Sequence, residues 1–576
     1  MKLENHYITL YSHLGPTDVN VFISEIAELL SCSERHAKSL IKQMQDQQWI
    51  TWHASSGRGN VSKLCFHISP QRLMQQQVQR WFENGDLKRA ITWIEQQTEL
   101  DQSFLSWINE YPQWIQNNGM DILRYPGYGH IHTLIPSEIT SKSEAHIVEH
   151  VFNRLLQYNS EKDEFVQELA HYWEYDEEGL IWRFYLRKGI VFHDGSPLTS
   201  EVIKENIEFW DKRNCSWKLN MVEDIDHIDV SSPTVITFHL NKPNRLFPHV
   251  FTDVKSMIIP VHLYKNNPDL FVLNPVGSGP FRIKEHIRNY LVLESFSNYF
   301  GYQPLLDRIE LYNIANQIGA ETKPIDYRFL YEKSVVHTHK KNLPPYGMYI
   351  VSNHQKAGIH RQPGFLKMLA IVIKWLNPTH NNQNKDESQT TNDLIKAKNW
   401  FEEQGLTGQT ISLIATNNED HDKLNLLLQQ LTHLFLELGI TLHTDVFQRN
   451  QLPSSEQLYK AELILTSLSH GEDKFDSFMN ALSLNTNVIY NSLPLEAKGF
   501  IRSLAQEIQQ CRDLRTAYNH LTQIKTFLLD HNYILFLCEY NEHVKLEFDD
   551  SIQGVELNRY HRLQYQKLWL KNEREK

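Results

Sequence analysis

Apolar residues recur at helical spacing near the N-terminus, where Ile23, Ile26, Ala27 and Leu30 fall on one face of a short helix. Ser33 then stands where an N-cap belongs, and Ala37, Leu40, Ile41 and Met44 repeat the pattern in a second helix. Trp49 to His53 and Val61 to His67 predict two short strands around a Gly57-Arg58-Gly59 tip. Over 69–118 the spacing is helical again, carried by Leu73, Val78, Trp81, Phe82 and Ile91. From about 119 to 330 strands and turns dominate, and HIDVSSPTVITFHLNKP (227–243) predicts a strand–turn–strand. Further on, ISLIAT (411–416), KLNLLLQQLTHLFLELG (423–439) and ITLHTDV (440–446) predict strand, helix and strand, hence a crossover in a partly parallel sheet. The polar run THNNQNKDESQTTND (379–393) predicts a surface insertion. The fold class expected is multidomain α/β.

Charge narrows the picture. The 576 residues carry 69 Asp and Glu against 57 Lys and Arg, a net charge of -12. That excludes wholesale coating of nucleic acid but leaves room for one small DNA-reading module. The opening MKLENHYITL lacks the continuous apolar stretch of an export signal. No apolar run approaches the ~20 residues of a membrane span. Five cysteines, an odd number without paired spacing, fit a reducing compartment. The expectation is a soluble, cytoplasmic protein.

The second helix is where chemistry first gathers. Opposite its apolar face lie Arg35, His36, Lys38, Ser39, Lys42 and Gln43, all able to meet phosphates or base edges. Ser33 at its start, Arg58 at the tip and Lys63 on the following strand extend that candidate DNA-binding set. The acids Glu25, Glu28 and Asp46 are expected off this face. Helix, turn, helix and wing in that order point to a winged helix–turn–helix over 1–68. With six Lys/Arg against six Asp/Glu in those residues, non-specific affinity should be modest.

Leu186-Arg-Lys-Gly189 and Phe192-His-Asp-Gly195-Ser-Pro-Leu-Thr-Ser200 read as strand edges joined by turns, with His193 and Asp194 pointing apart in a turn and no catalytic role. His130-Ile-His132 and His337-Thr-His339 lack further ligands at a strong spacing, and Asp224-Ile-Asp226 reads as exposed; no metal and no cofactor is expected. No phosphate loop, dinucleotide fingerprint or nucleophile elbow is found, so the chain is not expected to be an enzyme.

LAHYWEYDEEGLIWRFYLRKGIVFHDGSPLTSEVI (169–203), NPVGSGPFRI (274–283) and NYFGYQPLLDRIEL (298–311) resemble, in order, the signatures of family 5 of the bacterial solute-binding proteins. YIVSN (349–353), DLIKAKNWFEEQG (393–405) and FDSFMNAL (475–482) extend the likeness. It implies two α/β lobes closing over a ligand cleft, as in type II periplasmic binding proteins. Together with SEIAELLSCSERHAKSLIKQMQDQQWITWHASSGRGNVSKLCF, the chain resembles the SgrR-type transcription factors from end to end. That resemblance implies a regulator, activator and repressor, that responds to sugar-phosphate accumulation. It would control a small regulatory RNA, its own gene and nearby transporter genes. The implied domains are 1–68 for DNA, a helical connector at 69–118 and a ligand-sensing domain at 119–576. Its lobes are expected at about 119–320 plus 525–576 and at about 321–524. Candidate ligand contacts are Tyr125, Asn153, Arg154, Asn353 and Asp476. A phosphate would want a cation in the cleft, for which Arg124, Arg154 and Arg282 are candidates. Expected partners are promoter DNA and a small molecule, with no membrane; one winged helix per chain points to a homodimer. The other reading is an oligopeptide- or sugar-binding protein of a transporter that lacks its signal peptide and has no DNA function.

Overall fold

Ser33 starts the second helix as the sequence predicts, its hydroxyl accepting a hydrogen bond from the His36 amide at 3.3 Å. In this computed structural model the described residues exclude 56–60, 127–130, 211–220, 314–325, 330–335, 377–386, 449–459, 470–487, 572–576 and some shorter stretches. The chain divides into two compact units, one formed by residues 1–109 and the other running from 110 to the C-terminus.

The first unit runs α1 (Lys2–Leu14), β1 (Val19–Val21), α2 (Ile23–Leu29), α3 (Glu34–Asp46), β2 (Ile50–His53) and β3 (Ser62–Phe66). Ser31, at φ 51°, turns the chain between α2 and α3. The strands form a three-stranded antiparallel sheet ordered β1-β3-β2. This element order is that of a winged helix–turn–helix. Its core gathers Ile26, Ala37, Leu40, Ile41, Met44, Trp49 and Leu64 around Tyr7 and Leu10 of α1. The helical spacing over 69–118 corresponds to α4 (Pro70–Glu83), α5 (Leu87–Glu95) and α6 (Gln102–Asn109). Ser69 caps α4 through the Arg72 amide, and Pro70 occupies the first turn, where its missing N–H costs nothing. Leu73 of α4 enters the same core, and the Tyr7 hydroxyl donates to the Ile68 carbonyl. These helices thus belong to the compact unit that holds α3.

The second unit begins with β4 (Gln113–Asn117) and β5 (Met120–Pro126). They join β12 (Phe281–Ile287), β13 (Tyr290–Ser295) and β14 (Arg308–Tyr312) in a sheet ordered β12-β13-β14-β5-β4, parallel only between β14 and β5. Helix α7 (Lys142–Val151) opens on a capping box in which Ser141 and Glu144 satisfy each other's amides. Its buried face joins a core that includes Leu546, Ile552, Tyr565 and Leu568 from the C-terminal end of the chain. A second, all-antiparallel sheet, β10-β11-β9-β8, is built from β8 (Ala170–Tyr175), β9 (Ile181–Leu186), β10 (Ile225–Ser232) and β11 (Val235–Leu240). The expected strand–turn–strand at 227–243 is thus the β10–β11 hairpin.

A third sheet, β19-β18-β20-β17-β21, carries the later α/β pattern. Its strands are β17 (Tyr346–Ser352), β18 (Thr410–Asn417), β19 (Thr441–Gln448), β20 (Leu463–Ser469) and β21 (Ile534–Tyr540). β18 and β19 are parallel and joined by the helix His421–Glu437, the crossover that the sequence predicts. Leu427, Leu431 and Phe435 of that helix pack on Ile411 and Leu413. Of the polar run 379–393, residues 387–393 open the helix Glu387–Glu403, and Asp393 pairs with Lys374 at 2.9 Å. Among the described residues, no helix is long and apolar enough to cross a membrane.

Candidate functional site

Two very different polar surfaces emerge, one in each unit. On α3 the apolar stripe Ala37, Leu40, Ile41 and Met44 is buried, which turns Arg35, His36, Lys38, Ser39, Lys42 and Gln43 outward. All six are exposed, and no ion pair among the described residues engages Arg35, Lys38 or Lys42. Gln43 donates to the Ser39 hydroxyl at 3.4 Å, while Ser33, also exposed, spends its hydroxyl on the cap. Lys63 on β3 is exposed but paired with Asp18 at 2.8 Å. Arg58 lies outside the described residues.

One expectation about this face is corrected. Asp46 follows Lys42 by four residues and Ser39 by seven, so it shares their exposed stripe at the helix's C-terminal end. The acids of α2 differ from it: Glu25 folds back to accept a hydrogen bond from the Phe22 amide at 2.9 Å.

In the second unit the recognisable sequence motifs converge. The Asp194 carboxylate accepts from the Ser196 amide and hydroxyl at 3.0 and 2.6 Å, closing its own turn. His193 points the other way, toward the Gly277-Ser278-Gly279 loop. The Gly277 amide donates to His193 Nδ1 at 3.2 Å, and Nε2 lies 3.0 Å from the Gly279 carbonyl. This pairing assigns the ring as neutral with its proton on Nε2. Burial pushes its pKa down to about 4, which reinforces that state. The two residues do point apart.

Gly277 and Gly279 are required by close approach. A Cβ at Gly277 would stand 1.9 Å from the Val151 carbonyl oxygen, and one at Gly279 would stand 2.5 Å from that of His150. Both carbonyls belong to the last turn of α7, and the Gly279 amide donates to Val151 at 2.8 Å. The next residues of the chain carry a buried network. Ser278 donates to Asn153 Oδ1 at 3.1 Å, and Asn153 Nδ2 donates to Glu168 Oε1 at 2.8 Å and to the Tyr299 hydroxyl at 3.2 Å. Arg154 Nε meets Glu168 at 3.3 Å, and its other nitrogens meet Glu149 at 3.2 Å and the Thr252 carbonyl at 3.1 Å. Two of the signatures, through Ser278 and Tyr299, thus meet at Asn153, more than a hundred residues before them in sequence.

The candidate ligand contacts are distributed as follows. Asn153 and Arg154 come together through Glu168. Tyr125 is buried elsewhere in the same lobe, its hydroxyl bonded to that of Tyr565. Asn353 is fully buried just past β17, donating to the Ala461 carbonyl at 2.8 Å and accepting from the Gln355 amide at 3.1 Å. Asp476 lies outside the described residues. Each candidate phosphate-binding arginine faces a carboxylate: Arg124 meets buried Glu310 at 2.8 Å, and Arg282 meets Glu294 at 2.6 Å. Sequence reasoning missed Glu149, Glu168 and Glu310, because each partner lies 5 to 186 residues from its arginine with no local pattern to announce it.

Comparison with known proteins matches both units. The family described as Sugar transport-related sRNA regulator N-term matches residues 2–110. The family described as Bacterial extracellular solute-binding proteins, family 5 Middle, matches residues 164–322. The HTH-type transcriptional regulator SgrR of Pectobacterium atrosepticum is 26% identical over 450 residues, covering 77% of this chain and 78% of that protein. Its namesake in Yersinia enterocolitica is 32% identical over 314 residues, and that in Salmonella typhimurium 30% over 314. In both of these the match covers 54% of this chain and 54% of the relative, so the aligned stretch spans about half their length. Among solved structures, a periplasmic binding protein DppA from Helicobacter pylori in complex with the peptide STSA superposes with a TM-score of 0.60. It is 16% identical and covers 78% of this chain and 98% of its own. A dipeptide-binding protein from Pseudoalteromonas gives a TM-score of 0.59 at 15% identity, covering 78% and 100%. These structural likenesses show the fold alone. In its two matched regions and their order, the chain matches the SgrR-type regulators: a region similar to their N-terminal domain followed by a region similar to family 5 solute-binding proteins.

Proposed function

We propose that this chain is a cytoplasmic transcription regulator in which the first unit reads DNA and the second senses a small molecule. The observation that carries the reading is the α3 face. It presents Arg35, Lys38 and Lys42 outward, with no carboxylate partner among the described residues, on a helix docked by its opposite side. A recognition helix needs that division between a docked seam and a solvated, cationic face. Ser33, His36, Ser39, Gln43, Arg58 and Lys63 would add contacts to phosphates and base edges.

Ligand sensing is supported by the solute-binding fold of the second unit and by the regulators it resembles. A sugar phosphate is the proposed ligand, and a small regulatory RNA, the chain's own gene and nearby transporter genes are the proposed targets. Coupling requires that the ligand favour one of two states of the protein. The buried network around Asn153 and Arg154 suits a scaffold role, so these two residues would act on the ligand through the shape of their lobe.

A gel-shift titration on DNA from upstream of the chain's own gene tests the DNA reading. Retention at low salt that weakens in Lys38→Ala and Lys42→Ala is expected; no retention at low salt would overturn it. Thermal-shift screening of sugar phosphates, free sugars and short peptides tests the ligand, since a ligand bound to the folded state raises its stability. Stabilisation by peptides alone would remove the sugar-phosphate assignment.

A further inference from the structure

The β10–β11 hairpin carries a cluster that neither the DNA reading nor the sensing reading uses. His227 on β10 lies directly opposite His239 on β11, and Asp229 follows His227 by two residues on the same outward face. The other face of β11 buries Ile236, Phe238 and Leu240 in the core, which fixes the register and therefore the pairing of the two histidines. The two imidazole rings stack face to face, 4.1 Å between centroids and 7° from parallel. His239 Nε2 is 3.1 Å and His227 Nε2 is 3.9 Å from the same oxygen, Asp229 Oδ2. All three candidate ligand atoms fall within 4.8 Å of one another.

We propose that His227, Asp229 and His239 form a surface site for a late first-row divalent cation such as Zn²⁺. The argument rests on geometry and donor chemistry. Metal–nitrogen and metal–oxygen bonds of about 2.0–2.2 Å in a tetrahedral shell set ligand atoms roughly 3.3 Å apart. The observed separations bracket that value, and turning exposed His227 and Asp229 out of the ring stack, against half-buried His239, aims the three donors at one point. Two imidazoles and one carboxylate are the borderline donors that such cations prefer over Mg²⁺ or Ca²⁺, which favour oxygen.

A supporting group is also in place. Asp226 Oδ2 sits 2.7 Å from His227 Nδ1. A carboxylate there holds the ring proton on Nδ1 and leaves the Nε2 lone pair for the ion. His239 presents its own Nε2 lone pair once its ring proton resides on Nδ1. The carboxylates of Asp226 and Asp229 give two negative charges against two neutral rings, matching a dication. The cation on the neighbouring strand of this sheet, Arg183, is engaged by Glu174 at 3.0 Å and so does not oppose binding. Three protein ligands leave a fourth position for water or an outside group, so an exchangeable ion is expected.

The sequence alone gives no expectation of metal, because 29 histidines make chance pairs common and the third ligand comes from across a turn. The tell was the two-residue alternation of His227 and Asp229 beside a His on the returning strand.

The test is a Zn²⁺ titration of the full chain against a chromophoric chelator, repeated with Co²⁺ by absorption. One site of micromolar affinity is expected. His239→Gln and Asp229→Asn should each weaken it at least tenfold, and Asp226→Asn should weaken it by roughly tenfold. His443→Gln serves as a control, since exposed His443 pairs with a single carboxylate among the described residues, Asp445 at 3.7 Å; it should leave binding unchanged. The metal-free variants should melt with the parent, which separates lost ligation from lost folding. The proposal is overturned if the parent binds neither ion more tightly than ~100 µM, or if His239→Gln and Asp229→Asn bind as the parent does.

Discussion

The cations of the two units meet opposite fates. On α3, Arg35, Lys38 and Lys42 stand in solvent with no carboxylate partner among the described residues. In the second unit Arg124 and Arg154 are buried, each matched to glutamate carboxylates. Exposed charge is hydrated and can be handed to a phosphate at little cost. Buried charge is tolerated only when paired, and it cannot be withdrawn without leaving its partner stranded. On the proposed function, the difference separates cations free to meet DNA from cations that hold the fold of the sensing unit together.

The largest effects should therefore come from breaking the buried side of this comparison. Glu168→Ala removes the acceptor shared by Asn153 and Arg154, and should destabilise the protein by about 3–5 kcal/mol in urea unfolding. A loss under about 1 kcal/mol, the range of exposed pairs, would show that the network is solvated and would dissolve the contrast. Next comes Gly277→Ala, whose new Cβ meets the Val151 carbonyl and should cost about 3 kcal/mol. Gly195, at φ +87° with open space around it, is the matched control: Gly195→Ala should cost only about 1–2 kcal/mol, from backbone strain alone. Equal costs would mean that the motifs are not interlocked through α7.

The interlock also predicts a pH dependence. Folded His193 titrates near pH 4 against an ordinary value of 6.5, so between these values the unfolded chain binds the extra proton. Its contribution to stability is complete above pH 6.5 and lost progressively as pH falls toward 4. Burial lowers His146, His150, His286, His354 and His360 in the same direction, so the parent's slope is their joint effect. His193→Gln should flatten the change in urea midpoint between pH 7 and pH 5. An unchanged slope would remove His193 from the account.

Much of this was legible in the sequence where local pattern and tertiary packing agree. The α3 stripe, its Ser33 cap, the β10–β11 hairpin and the β18–helix–β19 crossover each follow from periodicity that burial then enforces. Asp46 was misplaced for a simple reason: acid residues were grouped by sign, while the 3.6-residue period puts Asp46 in line with Lys42. The glutamates facing Arg124 and Arg154 were not legible, because a buried ion pair is fixed by how segments pack, whether 186 residues apart, as for Arg124 and Glu310, or 5 and 14, as for Arg154 with Glu149 and Glu168. Tyr125, Asn153, Arg154 and Asn353 drew attention by residue type, and their burial follows from contacts that no spacing encodes. The motifs did signal their own meeting in one respect. Gly277 and Gly279 flank a serine in a loop where only hydrogen could fit against the end of a helix.

The smallest effects on stability, and the most informative on the exposed side, come from α3. Substituting Lys38 or Lys42 by Ala removes a solvated charge and should change folding stability by no more than about 0.5 kcal/mol. Each should nevertheless weaken DNA binding across sequences and reduce the salt slope by about one, if its ammonium neutralises a phosphate. Asp46→Asn should do the reverse, because Asp46 shares the stripe and repels the backbone that the lysines attract. Its gain should be modest, since it stands at the far end of the helix from Arg35. Measuring the three variants against one duplex over a range of salt gives a pattern of signs that a generic loss of folding could not produce. Should Asp46→Asn weaken binding as the lysine variants do, the outward face of α3 would not be the surface that faces the phosphates.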